Sequence, residues 1–511
     1  MLVRLGDGKY SVTRSGMLDL VSALAVSGLF IWSGFARASF LLQSPHPMGV
    51  DGYYYAIQLR SLAEDWRLFY PSLPLCFVWL LPFSLLSDPI IGTKLGAAIA
   101  TAAAVFPVNA LARRFTGDRG AGLVAATLVA ISAQSRFLST EFVKQGVGLT
   151  LAAGTWALLG ASLDRPSKGR FALALGLLSL TALTHRFAFC VALFVTLPVF
   201  VTWVCQTVDW KADRRSLLLL GGTVAVSVGV GVIWRLSFGN DFVVMSKLFQ
   251  MKPDWSFATL ALPGAPPLVF HHEVRWAAVA SLLTLGLSSS PGAARASPLR
   301  GHVVAFRAGF VSLALFVAVP WLDISNAEGP AMRLRLVAFL PLAICAALVF
   351  RQCLGRLTPS VRLIVGAIMA VGLPWIPTAR HEGTVTTAPS RVMAMKELAA
   401  KLPADSLVVT TERQLAFMVT WYARAPAQRA IPALLNPDRT FRLIPSNALE
   451  PDMALALAAR RKRATGVDAC PQDLLPSRPG SLTLLQEQIY QSLTHSLPLE
   501  SQMYWQAWPA H

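Results

Sequence analysis

The feature that most constrains this chain is a series of apolar blocks, each close to the length that crosses a lipid bilayer. The chain is 54% hydrophobic and 14% charged, whereas soluble domains carry roughly a quarter charged residues. We therefore predict an all-α polytopic membrane bundle of about eleven transmembrane helices, since about 20 apolar residues span the hydrocarbon core. The predicted spans are 17–37, 91–111, 120–138, 146–163, 170–184, 187–206, 217–236, 276–289, 306–322, 335–350 and 361–376.

The basic residues between these blocks predict the orientation of the bundle. Lys and Arg concentrate in cytoplasmic loops, which here are Arg4/Lys9/Arg14, Arg113/Arg114/Arg119, Arg165/Lys168/Arg170, Lys211/Arg214/Arg215, Arg295/Arg300/Arg307 and Arg351/Arg356/Arg362. This places the N-terminus in the cytoplasm and the C-terminal tail outside, in a plasma membrane such as the bacterial inner membrane. The topology also explains the net charge of +18. No aromatic–basic module indicates nucleic acid as a partner.

The first outer loop, residues 38–90, is predicted to lie at the membrane surface. One helix carries an apolar face, formed by Tyr55, Leu59, Leu62 and Trp66. Such an amphipathic helix lies in the interface with its aromatic residues at head-group level. A second apolar stretch, 73–86, contains two prolines and is predicted to be an interfacial or re-entrant helix.

After residue 376 the chain becomes more charged and has no block long enough to cross a bilayer. We predict a transmembrane domain over 1–376 and a small C-terminal α/β extracytoplasmic domain over 377–511. Its periodicity predicts helices over 391–401 and 412–423 with a strand over 406–410 between them. The segment 454–463, which ends in a basic run, is predicted to be a solvated helix end.

Ionisable residues near the hydrocarbon are costly, so those of the predicted outer loops are candidate functional residues. Asp51 lies at the start of the first interfacial helix. Its carboxylate suits a helix N-cap, and it also suits a general base that accepts a proton from an acceptor hydroxyl. Position alone slightly favours the cap, and the two roles are compatible.

The later outer loops contribute a second carboxylate and several cations. Glu141 and Lys144 are three residues apart and would share one face of a helix, either as a local ion pair or as groups for an acceptor, a metal or a phosphate. His185 and Arg186 form a tight turn between two spans and would either reach the interface or meet a lipid phosphate. Arg333 and Arg335 precede a late span, where arginine serves as an interfacial anchor or binds an oxyanion.

Several short segments resemble the GT-C glycosyltransferases. They are Asp51-Gly-Tyr-Tyr-Tyr-Ala-Ile-Gln, Tyr70-Pro71-Ser72-Leu73, Glu141-Phe-Val-Lys144 and Met332-Arg333-Leu-Arg335. The cytoplasmic N-terminus, the long first outer loop and the outer tail are similar to the same plan. The resemblance implies a membrane enzyme that transfers a sugar from a polyprenyl-phosphate-linked donor to an acceptor on the outer face.

The resemblance also implies roles for individual residues. Asp51 would be the catalytic base, and Glu141 would assist it. Lys144, His185 and Arg333 would hold the donor phosphate, and Tyr54, Tyr55, Arg186 and Arg335 are further candidate substrate-binding residues. The chain lacks a second acid beside Asp51 and lacks a Trp-Trp-Asp sequence in its tail, which argues against asparagine-linked transfer. No cofactor is assigned, and a divalent metal ion stays an open alternative.

Two other functions remain open. A transporter or flippase of a lipid-linked intermediate would have ionisable residues near the midplane and broken helices in matched halves. The predicted span centres lack acidic residues, which argues against a proton-coupled carrier. A non-catalytic membrane assembly protein would also suit an exposed outer domain.

Overall fold

The computed structural model describes residues 2–4, 10–12, 14–70, 72–165, 167–207, 271–288, 301–318, 330–373, 387, 389–401, 406–409, 413–424, 427–428, 439–444 and 456–461. The predicted span 217–236 lies outside them. The chain divides into two compact units. Unit 1 comprises Met1–Phe40 and Ala97–Gly383, and unit 2 comprises Leu41–Gly96 and Thr384–His511. The predicted domain boundary at 376/377 stays a prediction.

The described elements are mainly helices. In chain order the helices are α1 (Arg14–Leu41), α2 (Gly52–Asp65), α3 (Leu75–Leu85), α4 (Pro89–Ala102), α5 (Val105–Thr116), α6 (Arg119–Ile131), α7 (Ala133–Thr140), α8 (Val143–Asp164), α9 (Lys168–Thr184), α10 (Arg186–Thr207), α11 (His271–Ser288), α12 (Gly301–Ala318), α13 (Pro330–Arg335), α14 (Phe339–Cys353), α15 (Pro359–Gly372), α16 (Pro389–Lys401) and α17 (Arg413–Ala423). The strands are β1 (Leu2–Arg4), β2 (Tyr10–Val12), β3 (Ser406–Val409), β4 (Ala427–Gln428), β5 (Arg439–Ile444) and β6 (Ala456–Arg461).

Among the described residues, six helices are long and apolar enough to cross a membrane. They are Gly16–Leu41, Pro89–Thr116 (α4 continued by α5), Val143–Asp164, Arg186–Trp203, Gly301–Ala318 and Arg333–Cys353 (the end of α13 continued by α14). The pair α6 and α7 makes a seventh if its two helices, bent by 44°, count as one span. The polytopic helical character is confirmed, and the count of about eleven stays a prediction. Two of the predicted spans, α9 and α15, are shorter apolar helices.

Unit 1 has a core of aromatic and small residues. Trp156 of α8 is fully buried and donates its indole N–H to the carbonyl of Ala192, at 3.2 Å. Its ring meets the edge of Phe310 with centroids 5.1 Å apart. On the same helix, a Cβ added at Gly146 would lie 2.7 Å from Thr101 Cγ2. This glycine therefore permits close helix packing.

Ion pairs join the helix ends that the sequence predicts to be cytoplasmic. Three aspartates each bind basic side chains of other helices, and the Asp118–Arg362 pair is buried at both side chains. Arginines that were used to predict the orientation therefore also hold helix ends together through ion pairs. The pairs are Asp19 with Arg113 (2.6 Å) and Arg119 (2.8 Å), Asp164 with Arg114 and His302 (2.8 Å), and Asp118 with Arg362.

Unit 2 joins the first loop to the end of the chain, because α2 packs against α17. The hydroxyls of Tyr53 and Tyr422 lie 3.0 Å apart. Arg60 donates to the carbonyl oxygen of Trp421 at 3.0 Å, and its guanidinium lies 4.5 Å from the centre of that indole. The predicted apolar face of α2 is buried at Tyr55 but not at its end, because Trp66 lies beyond the helix and is 79% exposed.

A four-stranded sheet belongs to unit 2, in the order β4-β3-β6-β5. Strands β3 and β4 are parallel, whereas β6 is antiparallel to both β3 and β5. The predicted helix over 454–463 is wrong, because Ala456–Arg461 is strand β6. Its alanine-rich sequence favours a helix locally, but two neighbouring strands supply backbone partners, and such tertiary pairing overrides local propensity.

Candidate functional site

Asp51 begins α2 in unit 2 after a tight turn. Gly49 has a positive φ of 82°, and a Cβ added at Gly52 would lie 2.8 Å from Pro47 Cβ. Both glycines are therefore required by the backbone. Asp51 occupies the N-cap position, but its side chain makes no capping hydrogen bond. The capping bond that the sequence suggested is therefore not observed, and the role of Asp51 as a base stays a prediction.

Tyr54 and Tyr55 lie in the aromatic core of unit 2. The Tyr54 hydroxyl donates to Ser72 Oγ at 2.8 Å, and its ring stacks on Tyr70 with centroids 5.9 Å apart. Tyr55 is 3% exposed and packs against Phe77, at 6.0 Å between centroids. Packing alone accounts for Tyr55. The substrate-binding roles of both tyrosines stay predictions.

Two further basic residues of unit 2, Lys94 and His46, are buried or half-buried. Lys94 is 4% exposed and donates from Nζ to the carbonyl oxygen of Ser44, at 2.6 Å. Burial, together with the charges of Lys396 and Lys94, lowers the pKa of His46 below its ordinary value. The sequence analysis did not single out Lys94. A lysine inside an apolar run is the signal that would have found it.

Glu141 and Lys144 lie on either side of a helix break. The prediction that they share one helical face is wrong, because α7 ends at Thr140 and α8 begins at Val143. Glu141 caps the C-terminus of α7, donating its backbone N–H to the carbonyl of Phe137 at 2.9 Å. Its side chain is buried, whereas Lys144 is half-buried in the first turn of α8.

His185 occupies the turn between α9 and α10. Its Nδ1 accepts a hydrogen bond from the backbone N–H of Ala188 at 3.3 Å, so the side chain caps α10. A Cβ added at Gly148 would lie 2.7 Å from Ala188 Cβ and 3.2 Å from His185 Cβ. This glycine therefore lets α8 approach the turn. Lys144 is four residues earlier on α8 and shares that face.

Arg333 lies beside the same helix break. Its guanidinium carbon is 4.8 Å from the ring centre of Phe142, and its carbonyl accepts a hydrogen bond from Gln145 Nε2 at 2.7 Å. The side chain is half-buried, whereas that of Arg335 is 3% exposed. A surface anchor does not explain a buried arginine at position 335. The role of Arg335 in substrate binding stays a prediction.

Four predicted residues of unit 1 form one electrostatic group, which we call the cationic cluster: Lys144, His185, Arg186 and Arg333. Burial and then the charges of Arg333, Lys144 and Arg186 lower the pKa of His185 well below its ordinary value. The imidazole is therefore neutral beside three permanent cations. Such a group suits an oxyanion with several oxygens, such as a phosphate. Asp51, Tyr54 and Tyr55 belong to unit 2.

Several residues around the cluster were not predicted from the sequence. Gln145 is fully buried, and Phe142 supports the Arg333 guanidinium. A polar glutamine at the edge of an apolar span is a sequence feature that could have identified Gln145. The adjacent residues His271, His272 and Glu273 could suggest a metal site, but neighbouring residues do not share one helical face. Among the described residues, no three His, Cys, Asp or Glu side chains lie together as a metal site.

No protein family and no curated protein sequence matches this chain. Among solved structures, the chain is similar to ArnT from Cupriavidus metallidurans bound to undecaprenyl phosphate. The TM-score is 0.50 at 14% identity, over 88% of this chain and 98% of that chain. ArnT from the same organism in the apo state gives a TM-score of 0.47 at 14% identity, over 88% and 98% of the two chains. This chain is an integral membrane protein whose fold is similar to that of ArnT.

Proposed function

We propose that this protein is a membrane glycosyltransferase that moves a sugar from a polyprenyl-phosphate-linked donor to an acceptor at the outer face of the membrane. The observation that carries the proposal is the cationic cluster. The Arg333 guanidinium lies over the Phe142 ring, and the charges of Arg333, Lys144 and Arg186 all act on His185. Cations at this kind of position bind a lipid phosphate by charge and by hydrogen bonds.

Sugar transfer from such a donor leaves negative charge on the departing phosphate, which cations stabilise. The acceptor hydroxyl attacks the anomeric carbon, and the bond between that carbon and the phosphate oxygen breaks. The electron pair stays on the phosphate, whose growing charge Lys144, Arg186 and Arg333 would stabilise. His185 would donate a neutral N–H to the same group. The acceptor proton passes to Asp51 as general base, with Glu141 assisting.

The comparison with ArnT supports the donor class. That protein was crystallised with undecaprenyl phosphate bound, which is the product that such a donor leaves after transfer. The fold likeness supports the proposal that this chain binds a polyprenyl phosphate.

The test is release of polyprenyl phosphate from a radiolabelled polyprenyl-phosphate sugar by the purified full chain in lipid nanodiscs. We expect Asp51→Asn to lower kcat by about a hundredfold or more, because general base catalysis contributes 10²–10⁴-fold. We expect Arg333→Gln to raise the KM for the donor by about tenfold, the effect of one charge-assisted hydrogen bond. Both variants should bind as much detergent as the wild type and should unfold at the same temperature.

Matched controls separate the site from general charge effects. Asp65→Asn removes an exposed acid at the other end of α2, and Arg170→Gln removes an exposed arginine of α9. Both should retain wild-type kinetics. Full activity of a folded Asp51→Asn variant would remove Asp51 as the base. No bond cleavage with any donor tested would remove the glycosyltransferase proposal.

A lipid transporter is the second candidate, because one pair of helices, α6 and α7, is bent by 44° at a break. Broken helices recur at the substrate sites of transporters. The same nanodisc assay discriminates, since a transporter moves the intact donor without cleaving it. Translocation of a fluorescent lipid-linked sugar in proteoliposomes, with no release of polyprenyl phosphate, would favour transport.

A further inference from the structure

The break between α6 and α7 exposes backbone groups that a continuous helix would satisfy. The two helices meet at Ser132 with a bend of 44°. At such a break, the last carbonyls of one helix and the first N–H groups of the next lose their intrahelical partners. In a bilayer these groups must find other partners inside the protein, since water is absent.

Side chains from other parts of the bundle supply the donors for the freed carbonyls. Three successive carbonyl oxygens at the end of α6 each accept a hydrogen bond from a different side chain. Two of the donors lie one turn apart on α1, and the third lies on α7 itself. The bonds are Arg37 Nη2 to Val129 O (3.2 Å), Ser33 Oγ to Ala130 O (3.1 Å) and Arg136 Nη2 to Ile131 O (2.9 Å).

Glu273 of α11 satisfies the other side of the break. Its Oε2 accepts from Ser132 Oγ at 2.8 Å, and its Oε1 accepts from the backbone N–H of Ala133 at 2.5 Å and of Gln134 at 3.4 Å. A carboxylate at a helix N-terminus also gains from the helix dipole. Glu273 therefore replaces the intrahelical acceptors that the first turn of α7 lacks.

The group at the break contains two arginines and one carboxylate. Arg37 is only 1% exposed, and the charges of Arg136 and Glu273 act on it. A buried arginine is expensive unless an acceptor and an opposite charge are near. The break supplies the acceptor, and α11 supplies the opposite charge. We call Ser33, Arg37 and Glu273 the α6–α7 clamp.

The clamp is connected to the proposed site through the short helix α7. In its first turn, Gln134 Oε1 accepts a hydrogen bond from the backbone N–H of Phe339, at 2.9 Å, where α14 begins. After two turns α7 ends at Glu141, and the next residue is Phe142, whose ring supports Arg333. The direction of α7 therefore determines where Glu141 and the cationic cluster lie in unit 1.

We propose that Ser33, Arg37 and Glu273 are positioning residues that fix the bend between α6 and α7 and thereby hold Glu141 and Lys144 in place. The role rests on the proposed function only for its catalytic consequence. The structural consequence, an ordered bend, stands on the hydrogen bonds alone. The two can be measured separately on the full chain.

The structural measurement is hydrogen–deuterium exchange of peptides from 133–142 in nanodiscs. We expect Glu273→Ala and Arg37→Met to accelerate exchange there by about tenfold or more, because each removes charge-assisted hydrogen bonds. Glu273→Gln keeps a carbonyl oxygen as acceptor and should stay near the wild type. The control is Ser22→Ala, which removes a buried hydroxyl of α1 that has no hydrogen-bond partner among the described residues.

The catalytic measurement is release of polyprenyl phosphate by the same variants. We expect Glu273→Ala to lower kcat/KM by about tenfold, as small displacements of reacting groups do, and Glu273→Gln to restore most of it. A merely structural role would lower activity only in proportion to the unfolded fraction. It would therefore show no loss in preparations that are fully folded by thermal unfolding.

The outcomes distinguish the two proposals. Unchanged exchange over 133–142 in both Glu273→Ala and Arg37→Met overturns the clamp, whatever the activity. Faster exchange in the two variants, together with a wild-type protein that cleaves no donor, keeps the clamp and removes the proposed function. If Glu273→Ala does not fold, Ser33→Ala carries the same exchange test, with an expected acceleration of about threefold for one neutral hydrogen bond.

Discussion

At the scale of single residues, the two ring nitrogens of His185 have different roles. Its Nδ1 accepts the N–H of Ala188, which fixes the neutral tautomer with the proton on Nε2. The neighbouring cations and burial keep the ring neutral by lowering its pKa. The histidine is therefore suited to donate a hydrogen bond to a phosphate and is a poor general acid.

Two substitutions of His185 should separate these roles. Asn places an acceptor near the position of Nδ1 and should keep the helix cap, whereas Gln places an N–H near the position of Nε2. We expect His185→Asn to keep the stability but raise the donor KM by about tenfold. We expect His185→Gln to keep the KM within about threefold and lose about 1 kcal/mol of stability. Thermal unfolding and donor kinetics provide the two readouts, and identical behaviour of both variants would contradict the assignment.

The lowered pKa of His185 also predicts a pH dependence of stability. The unfolded chain binds the proton more tightly than the folded chain, so this contribution is present above the ordinary histidine pKa of about 6.5 and lost as the pH falls below it. Thermal unfolding between pH 8 and pH 5 should therefore show a larger loss for the wild type than for His185→Gln. Equal losses would contradict the buried, neutral histidine.

At the scale of elements, the approach of α8 to α10 depends on one glycine. A Cβ at Gly148 would lie 2.7 Å from Ala188 Cβ, whereas a Cβ at Gly176 of α9 would meet no atom of the described residues within 4 Å. We expect Gly148→Val to cost about 1–3 kcal/mol through overpacking and to weaken donor binding by moving His185 away from Lys144. Gly176→Val is the matched control for the valine itself. Equal unfolding temperatures for the two variants would show that this approach is not tight.

The elements also show where local sequence patterns stop being informative. Helix α8 was predicted over 146–163 and is Val143–Asp164, because an apolar run and its polar ends are local properties. The bend at Ser132 was not predicted, since one unbroken span was predicted over 120–138. Ser132 and Glu273, which help to hold the bend, are 141 positions apart. Nothing in either segment alone identifies the other as its partner.

At the scale of the whole molecule, unit 2 joins segments from opposite ends of the chain. Arg60 and Trp421 are 361 positions apart, yet the guanidinium donates to that carbonyl and lies over the indole. We expect Arg60→Ala to destabilise unit 2 by about 2 kcal/mol, from the lost charge-assisted hydrogen bonds and cation–π contact. Limited proteolysis of the 41–96 segment should accelerate. Arg67→Ala, at an exposed arginine just beyond α2, should cleave at the wild-type rate.

The sequence by itself determined that this chain enters a membrane as a bundle of helices, and it identified Lys144, His185, Arg186 and Arg333 as candidate phosphate ligands. These properties depend on the local free energy of placing apolar or charged groups in lipid. The tertiary structure decided that these four residues form one cluster, that Glu141 lies across a helix break from Lys144, and that β6 is a strand. Each of these depends on which distant segments pack together, because backbone groups freed in one segment must be satisfied by another.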